Sequence, residues 1–308
     1  MSEQSGVRFD VVDESGRALV APGTQLREIA GGGTWFEGPV WLGETLVWSD
    51  VREGRLHAWD RDRGARVWIE RAFHQNGHAL DSAGRIVAAS HGERAIVRRE
   101  HSGRWTVLAD FVDWKRFNSP NDLAIASDDS IWFTDPTYGL KQPLESFEPA
   151  GVSEIGGAHI YRVDPRGLSH PVICLTERMP AMPAPNGIAF NPEESILYVS
   201  DSEAGHILGF RIRVSLDGPE LHQRWLVHET LEGKPDGIRV DQTGRIWSSS
   251  GAGVEILSPA RPGERARHLA TIRVLQGATN LAFAPDLTRL AITSPTSVFL
   301  VKLGDIRL

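Results

Sequence analysis

An all-β fold, arranged as a single six-bladed propeller, is what this sequence predicts. Three observations carry the prediction. One motif recurs six times along the chain. Each copy contains short apolar runs separated by turns rich in Gly, Asp and Pro. No long stretch keeps the 3.6-residue period of an amphipathic helix.

The first copy is Glu37-Gly38-Pro39-Val40-Trp41, running on through Leu46-Val47-Trp48-Ser49-Asp50. The others begin Asn76-Gly77-His78-Ala79-Leu80, Asn121-Asp122-Leu123-Ala124-Ile125, Asn186-Gly187-Ile188-Ala189-Phe190, Asp236-Gly237-Ile238-Arg239-Val240 and Asn280-Leu281-Ala282-Phe283. In these five an aliphatic residue stands ten positions after the leading Asn or Asp: Ile86, Ile131, Ile196, Ile246 and Leu290. A turn lies between, as in Asp81-Ser82-Ala83-Gly84. The second run closes on a small or acidic residue: Ser90, Asp135, Ser200-Asp201, Ser250 or Ser294. Unit 1 continues with Leu56-His57-Ala58-Trp59, a turn, and Arg66-Val67-Trp68-Ile69. Copies thus start near 37, 76, 121, 186, 236 and 280. Units of roughly 40–50 residues with four antiparallel strands each are propeller blades. One such sheet cannot bury both faces, so the blades stack around an axis and the ring must close. The N-terminal segment, with Ala18-Leu19-Val20 and Leu26-Arg27-Glu28-Ile29, is expected to close it by supplying the outer strand of the last blade. Residues 1–308 then form one domain, with a lid-like insert at 136–158 in the longest unit.

Composition sets limits on function. The 308 residues are 41% hydrophobic and 24% charged, ordinary for a globular domain. A net charge of −7 gives no footprint for nucleic acid. The basic stretch Arg55, Arg61, Arg63, Arg66 and Arg71 is interleaved with acids and reads as solvated surface. One cysteine, Cys174, rules out an internal disulfide and a Cys-based zinc cluster. Its apolar neighbours suggest a buried strand thiol. No run approaches 18 apolar residues, so no membrane partner is expected. The polar N-terminus lacks the apolar centre of a signal peptide. The cytoplasm is the expected compartment, or the periplasm where a leader has been removed.

The repeat also locates a site. The first strand of a propeller blade borders the central channel, so the residues leading into it crowd one mouth. Glu37, Asn76, Asn121, Asn186, Asp236 and Asn280 all hold that position. Asn-Gly and Asp-Gly can be mere turn dipeptides, but the turn of each unit falls several residues later, and Glu37 is no turn former. Two carboxylates with neutral amide oxygens suit a hard divalent cation. Ca2+ is the first choice, with Zn2+, Mg2+ and Mn2+ as alternatives. The second strand returns to the same mouth, placing Asp135 and Asp201, with Asp122, behind the ring. The 136–158 insert should lie over the mouth and offer Tyr138, Lys141, Glu145, Phe147 and Glu154. His78 and His91 are candidates for substrate hydroxyls, set against a packing role for each.

Several segments together resemble the gluconolactonase, senescence-marker-protein and luciferin-regenerating-enzyme family. They are Glu37 to Trp41, Asn118-Ser119-Pro120-Asn121-Asp122, Phe133-Thr134-Asp135-Pro136-Thr137-Tyr138-Gly139, Pro185 to Phe190, and Pro235 to Ile238. The stretch 118–139 is most similar to the bacterial gluconolactonase branch. The resemblance implies a metal bound by Glu37, Asn186 and Asp236, with Asn121 on the metal, the substrate or both. It also implies that Asp236 is the acid/base. Asn76 and Asn280 then read as channel-lining or substrate-side residues. One departure stands out: the sugar-binding Arg of the animal members, two residues before Asn121, is Ser119 here, and Arg116 is out of register.

The expected activity is therefore metal-dependent opening of a sugar lactone, with Asp236 as catalytic base, Glu37, Asn121, Asn186 and Asp236 as ligands, and Asn121, Asn76, His78 and Tyr138 toward substrate. No Gly-x-Ser-x-Gly elbow offers a serine-hydrolase route. Two alternatives use the same ring: a phosphotriesterase like the distantly related diisopropyl fluorophosphatase, and a non-catalytic scaffold with a structural metal. The partner is a small-molecule lactone. No oligomeric state is read from the sequence.

Overall fold

Each copy of the repeat folds into an antiparallel sheet. A computed structural model of the chain describes residues 8–142, 144–145, 151–164, 182–215 and 218–306. Blade 1 pairs Phe36–Leu42, Thr45–Asp50, Arg55–Asp60 and Gly64–Ile69 in that order. Blade 2 pairs Gln75–Leu80, Ile86–Ser90, Ala95–Arg99 and Trp105–Ala109. Blade 3 shows Leu123–Ile125, Ile131–Asp135 and His159–Val163 among the described residues. Blade 4 has Pro185–Phe190, Ile196–Asp201, His206–Ser215 and Gly218–Glu229. Blade 5 begins with Ile238–Val240, Ile246–Ser250, Gly253–Leu257 and His268–Arg273, and blade 6 with Asn280–Phe283, Arg289–Thr293 and Ser297–Lys302. Cys174 lies outside the described residues.

The second strands are apolar without alternation, as in Ile196-Leu197-Tyr198-Val199, because each blade is covered on both faces. Separate apolar clusters join blade 1 to 2, 2 to 3, 3 to 4, 4 to 5 and 5 to 6. A sixth joins the last blade to the first: Phe36, Trp41, Leu46 and Trp48 pack on Ala282, Ala291, Val298 and Leu300. Trp132 and Trp247 are fully buried at equivalent points of their second strands, and Trp48, also fully buried, faces the preceding blade instead. Among the described residues no helix is long and apolar enough to cross a membrane.

The N-terminal segment behaves differently in its two halves. Arg27–Gly31 pairs antiparallel with Ser297–Lys302 as the outer strand of blade 6. The Ala18-Leu19-Val20 run forms no such strand. Ala18 and Leu19 end a 3-10 helix, Glu14–Leu19, whose cap Asp13 accepts the Ser15 N–H, and Val20 makes only an isolated bridge to Leu303. A strand not foreseen in the polar N-terminus, Phe9–Val11, adds a fifth member to blade 5 by pairing with His268–Arg273.

The Asn-Gly and Glu-Gly pairs are not hairpin turns. They lie in the first strands of blades 1, 2 and 4, where the register slips between Glu37 and Val40, Gln75 and His78, and Pro185 and Ile188. Such bulges re-aim a side chain. The glycines admit the next blade. A Cβ on Gly38 would lie 1.9 Å from the Asn76 carbonyl oxygen, and one on Gly187 2.2 Å from that of Asp236. Gly187 donates its N–H to this same oxygen at 3.1 Å. Here backbone packs on backbone, and neither side can give way. Gly187→Ala should therefore destabilise the fold by about 1–3 kcal/mol, as overpacking does, lowering the midpoint of thermal unfolding followed by circular dichroism.

Candidate metal centre at the mouth of the channel

Hydroxyl side chains near the ends of the second strands grip the main chain of the following blade. Ser49 Oγ donates to the Asn76 carbonyl at 3.1 Å, Thr134 Oγ1 to that of Asn186 at 2.7 Å, and Ser200 Oγ to that of Asp236 at 2.6 Å. Ser249 does the same to Thr279, and Thr279, just before the first strand of blade 6, donates to the Phe36 carbonyl, both at 2.6 Å. The adjacent carboxylates hold the segments leading into the ring. Asp50 accepts the N–H groups of Thr34 and Trp35 at 3.1 Å each. Asp135 accepts those of Asn118 and Ser119 at 2.8 Å each, and Asp201 that of Ala184 at 3.3 Å. Asp135 and Asp201 thus stand behind the ring and shape its backbone. Burial pushes Asp135 up to about 7, against the pull of its two amide donors.

The positions so fixed converge. Glu37, Asn76, Asn121, Asn186 and Asp236, one from each of blades 1 to 5, line a cavity of about 370 Å³ together with Tyr138, Gln142, Glu145, Ser202 and Lys234. Asp236 is half-buried; the other four ring residues are buried. Glu37 Oε2 accepts from Gly38 N at 2.9 Å and from Asn280 Nδ2 at 3.1 Å. Asn186 Nδ2 donates to Ser202 Oγ at 3.1 Å, and the Asn186 amide also bonds the Asp236 carboxylate. Burial raises the Glu37 and Asp236 carboxyls well above the usual carboxylate range, and for Asp236 the neighbouring Glu37 charge adds to it. Among the described residues no Lys or Arg makes an ion pair with either acid. Among the described residues no three of His, Cys, Asp or Glu gather as a metal cluster either; the other three ring residues at the cavity are amides.

The insert contributes from one side. Its short helix Tyr138–Lys141 brings Tyr138 to Ser202 and Asn186, and burial pushes the Tyr138 phenol up to about 12. Ser119, at the position of the animal members' arginine, is wholly buried. Its Oγ donates to the Pro136 carbonyl at 2.7 Å and accepts Gly139 N–H at 3.0 Å, so it anchors the Tyr138 turn. Phe147 lies outside the described residues.

Three ring-associated residues do not face this cavity. Asn280 bridges Glu37 to Asp122, its Nδ2 lying 3.4 Å from Asp122 Oδ2. Asp122 in turn holds Arg239 at 3.2 Å. His78 does not border this cavity either. Its Nδ1 is 2.7 Å from the Gly38 carbonyl, and its side chain borders a second cavity of about 500 Å³. That larger space lies farther along the same six strands, lined by Val40, Leu123, Ile188, Arg239 and Phe283, away from both acids. Residues not foreseen at the site include Trp35, Gln142, Ser202, Lys234 and Gln276; of these Ser202, next to Asp201 in the repeat, carried a positional signal.

Residues 35–296 match the SMP-30/gluconolactonase/LRE-like region. The chain belongs to this family. It is 29% identical over 265 residues to a gluconolactonase of Zymomonas mobilis, covering 79% of this chain and 72% of that one. Against the pentonolactonase XacC of Haloferax volcanii it is 26% identical over 263 residues, with 84% and 80% covered. Among solved structures, a gluconolactonase from Xanthomonas campestris superposes with a TM-score of 0.86 at 33% identity over 98% of each chain. All six ring residues fall inside the family span.

The placement of His78 in this gluconolactonase-family chain has a measurable consequence. Burial lowers its imidazole from 6.5 to about 4. The unfolded chain takes a proton there below about pH 6.5 and the folded chain does not. The contribution is therefore complete above 6.5 and is lost as pH falls toward 4. Thermal unfolding should show stability falling across that window, with a His78 share on the order of 3 kcal/mol. His78→Gln should flatten that share of the decline.

Proposed function

We propose that this chain is a lactonase that hydrolyses a sugar lactone at the cavity bordered by Glu37, Asn121, Asn186 and Asp236, with one divalent cation held there. One observation carries the reading: two carboxyls from distant blades share a small cavity with amides and with no ion-paired Lys or Arg among the described residues. Such a pair calls for a cation or a proton. Four oxygen donors, two of them anionic, fit Ca2+ first, and Zn2+, Mg2+ or Mn2+ after it. The relatives named gluconolactonase and pentonolactonase support a lactone as substrate over a phosphotriester.

The bound cation would supply polarisation of the lactone carbonyl and stabilisation of the oxyanion. The protein's own groups do the rest. Asp236, half-buried on the cavity wall, takes the proton of the attacking water and returns it to the departing alkoxide oxygen. Asn76 and Tyr138 border the space where the lactone hydroxyls would lie. Glu37, Asn121 and Asn186 present oxygen to the cation.

Asp236→Asn, assayed by pH-stat on aldonolactones at saturating Ca2+, should lose about 10²–10⁴ in turnover; near-normal turnover would remove the base assignment. Exhaustive chelation should abolish lactone opening, and added Ca2+ should restore it. Full activity after chelation would overturn the cation's part while leaving the lactonase standing.

A further inference from the structure

One buried histidine at the ring is not used by the reading above. His91 follows the second strand of blade 2, and its side chain is completely enclosed, at 0% exposure. Its Nε2 lies 3.4 Å from Asn76 Nδ2 and 3.5 Å from Asn121 Nδ2. Its Nδ1 makes no hydrogen bond and faces the carboxylate of Glu145, with Oε2 at 3.7 Å. The other Glu145 oxygen is 3.5 Å from Arg52 Nε. Gly139 packs against the ring from the insert: a Cβ there would lie 3.1 Å from His91 Cβ.

These contacts fix which nitrogen carries hydrogen. Two carboxamide NH2 groups can share only an imidazole nitrogen that has a free lone pair; an N–H at that point would oppose both. Nδ1 faces a carboxylate, the surrounding that favours an N–H. One lone pair divided between two donors also accounts for two contacts that are both long. A carboxamide has one NH2 end and one oxygen end, so holding the first directs the second. With both NH2 groups on His91, both Oδ1 atoms turn from it.

We propose that His91 is a positioning residue: by accepting an N–H from each of Asn76 and Asn121 at Nε2, it presents both amide oxygens to the cavity. What those oxygens meet, a cation at Asn121 and a substrate hydroxyl at Asn76, rests on the lactonase reading. Glu145 belongs to the 136–158 insert, so through His91 the insert also bears on the orientation of two amides from blades 2 and 3. A buried histidine that merely fills space would serve as well with either tautomer, and any apolar ring would replace it.

Two measurements test this. In full-length protein labelled at histidine with 15N, long-range proton–nitrogen correlations at pH 7 should show His91 with Nε2 unprotonated and Nδ1 protonated; the signal is assigned by its loss in His91→Phe. The opposite tautomer overturns the proposal, whatever the protein hydrolyses. Calorimetric titration with Ca2+ should then show affinity falling on the order of 10–100-fold in His91→Phe, as for groups that orient metal ligands. His91→Gln, whose side-chain oxygen replaces the Nε2 acceptor, should recover most of that loss. Equal losses in the two variants, or none in a folded His91→Phe, leave His91 a packing residue. If the wild-type protein neither binds Ca2+ nor opens any lactone, the lactonase reading fails, and the tautomer still decides how the two amides are held.

Discussion

Two carboxyl groups, Glu37 and Asp236, meet in one small cavity with no ion-paired Lys or Arg among the described residues, and much of the architecture around the cavity can be understood from that juxtaposition. Bringing uncompensated carboxylates out of water costs several kcal/mol each. A flexible site would relax by letting them drift apart. This one is held on strand ends whose backbones are tied to the neighbouring blade. Ser200 and Gly187 both bond the Asp236 carbonyl, and Gly38 packs on the Asn76 carbonyl. The residues therefore sit at separations set by backbone packing. The cost remains in the site as raised proton affinity and, on our reading, as affinity for a cation.

The same logic explains the glycines after the leading residues. Around a narrow axis, six strand ends fit only if some carry no side chain toward their neighbour. Gly38, Gly77, Gly187 and Gly237 each lie within 3 Å of the next leading residue or the residue beside it, measured from where a Cβ would be. In blade 3 Asp122 takes the glycine's place, and its side chain points into the axis to bind Arg239 and Asn280. The axis thus admits a carboxylate where the guanidinium of Arg239, two blades on, meets it.

This explains what could be read from the sequence and what could not. The blades were legible because each strand pair is local and its apolar run recurs at a fixed offset from Asn or Asp. The ring was legible for a similar reason: a repeat that fixes the fold fixes equivalent positions within it. His78 lies two residues past Asn76 yet borders a different cavity. Two residues of strand carry a side chain about 7 Å along the axis, and the bulge between Gln75 and His78 re-aims it as well. His91 and Glu145 could be named from the repeat and the insert, but not the approach of one to the other, and Lys234 lies on a loop whose course no repeat dictates. Leu19 was apolar enough to suggest a strand, but Asp13 offers a cap that starts a helical turn instead.

The six leading residues also divide in a way their alignment conceals. Asn280 occupies the ring position of blade 6 but does not border the cavity. Its Nδ2 reaches both Glu37 Oε2 and Asp122 Oδ2, and its Oδ1 accepts the Leu281 N–H at 2.9 Å. Both hydrogen bonds to Glu37 fall on Oε2, which leaves Oε1 as the oxygen to offer to the cavity. An amide that touches no substrate can therefore choose which face a carboxylate presents, as His91 does for two amides across the ring. Alignment finds the positions where side chains converge. Which atom each one shows to the cavity is decided by its neighbours, and those neighbours come from the next blade, the opposite blade or the insert.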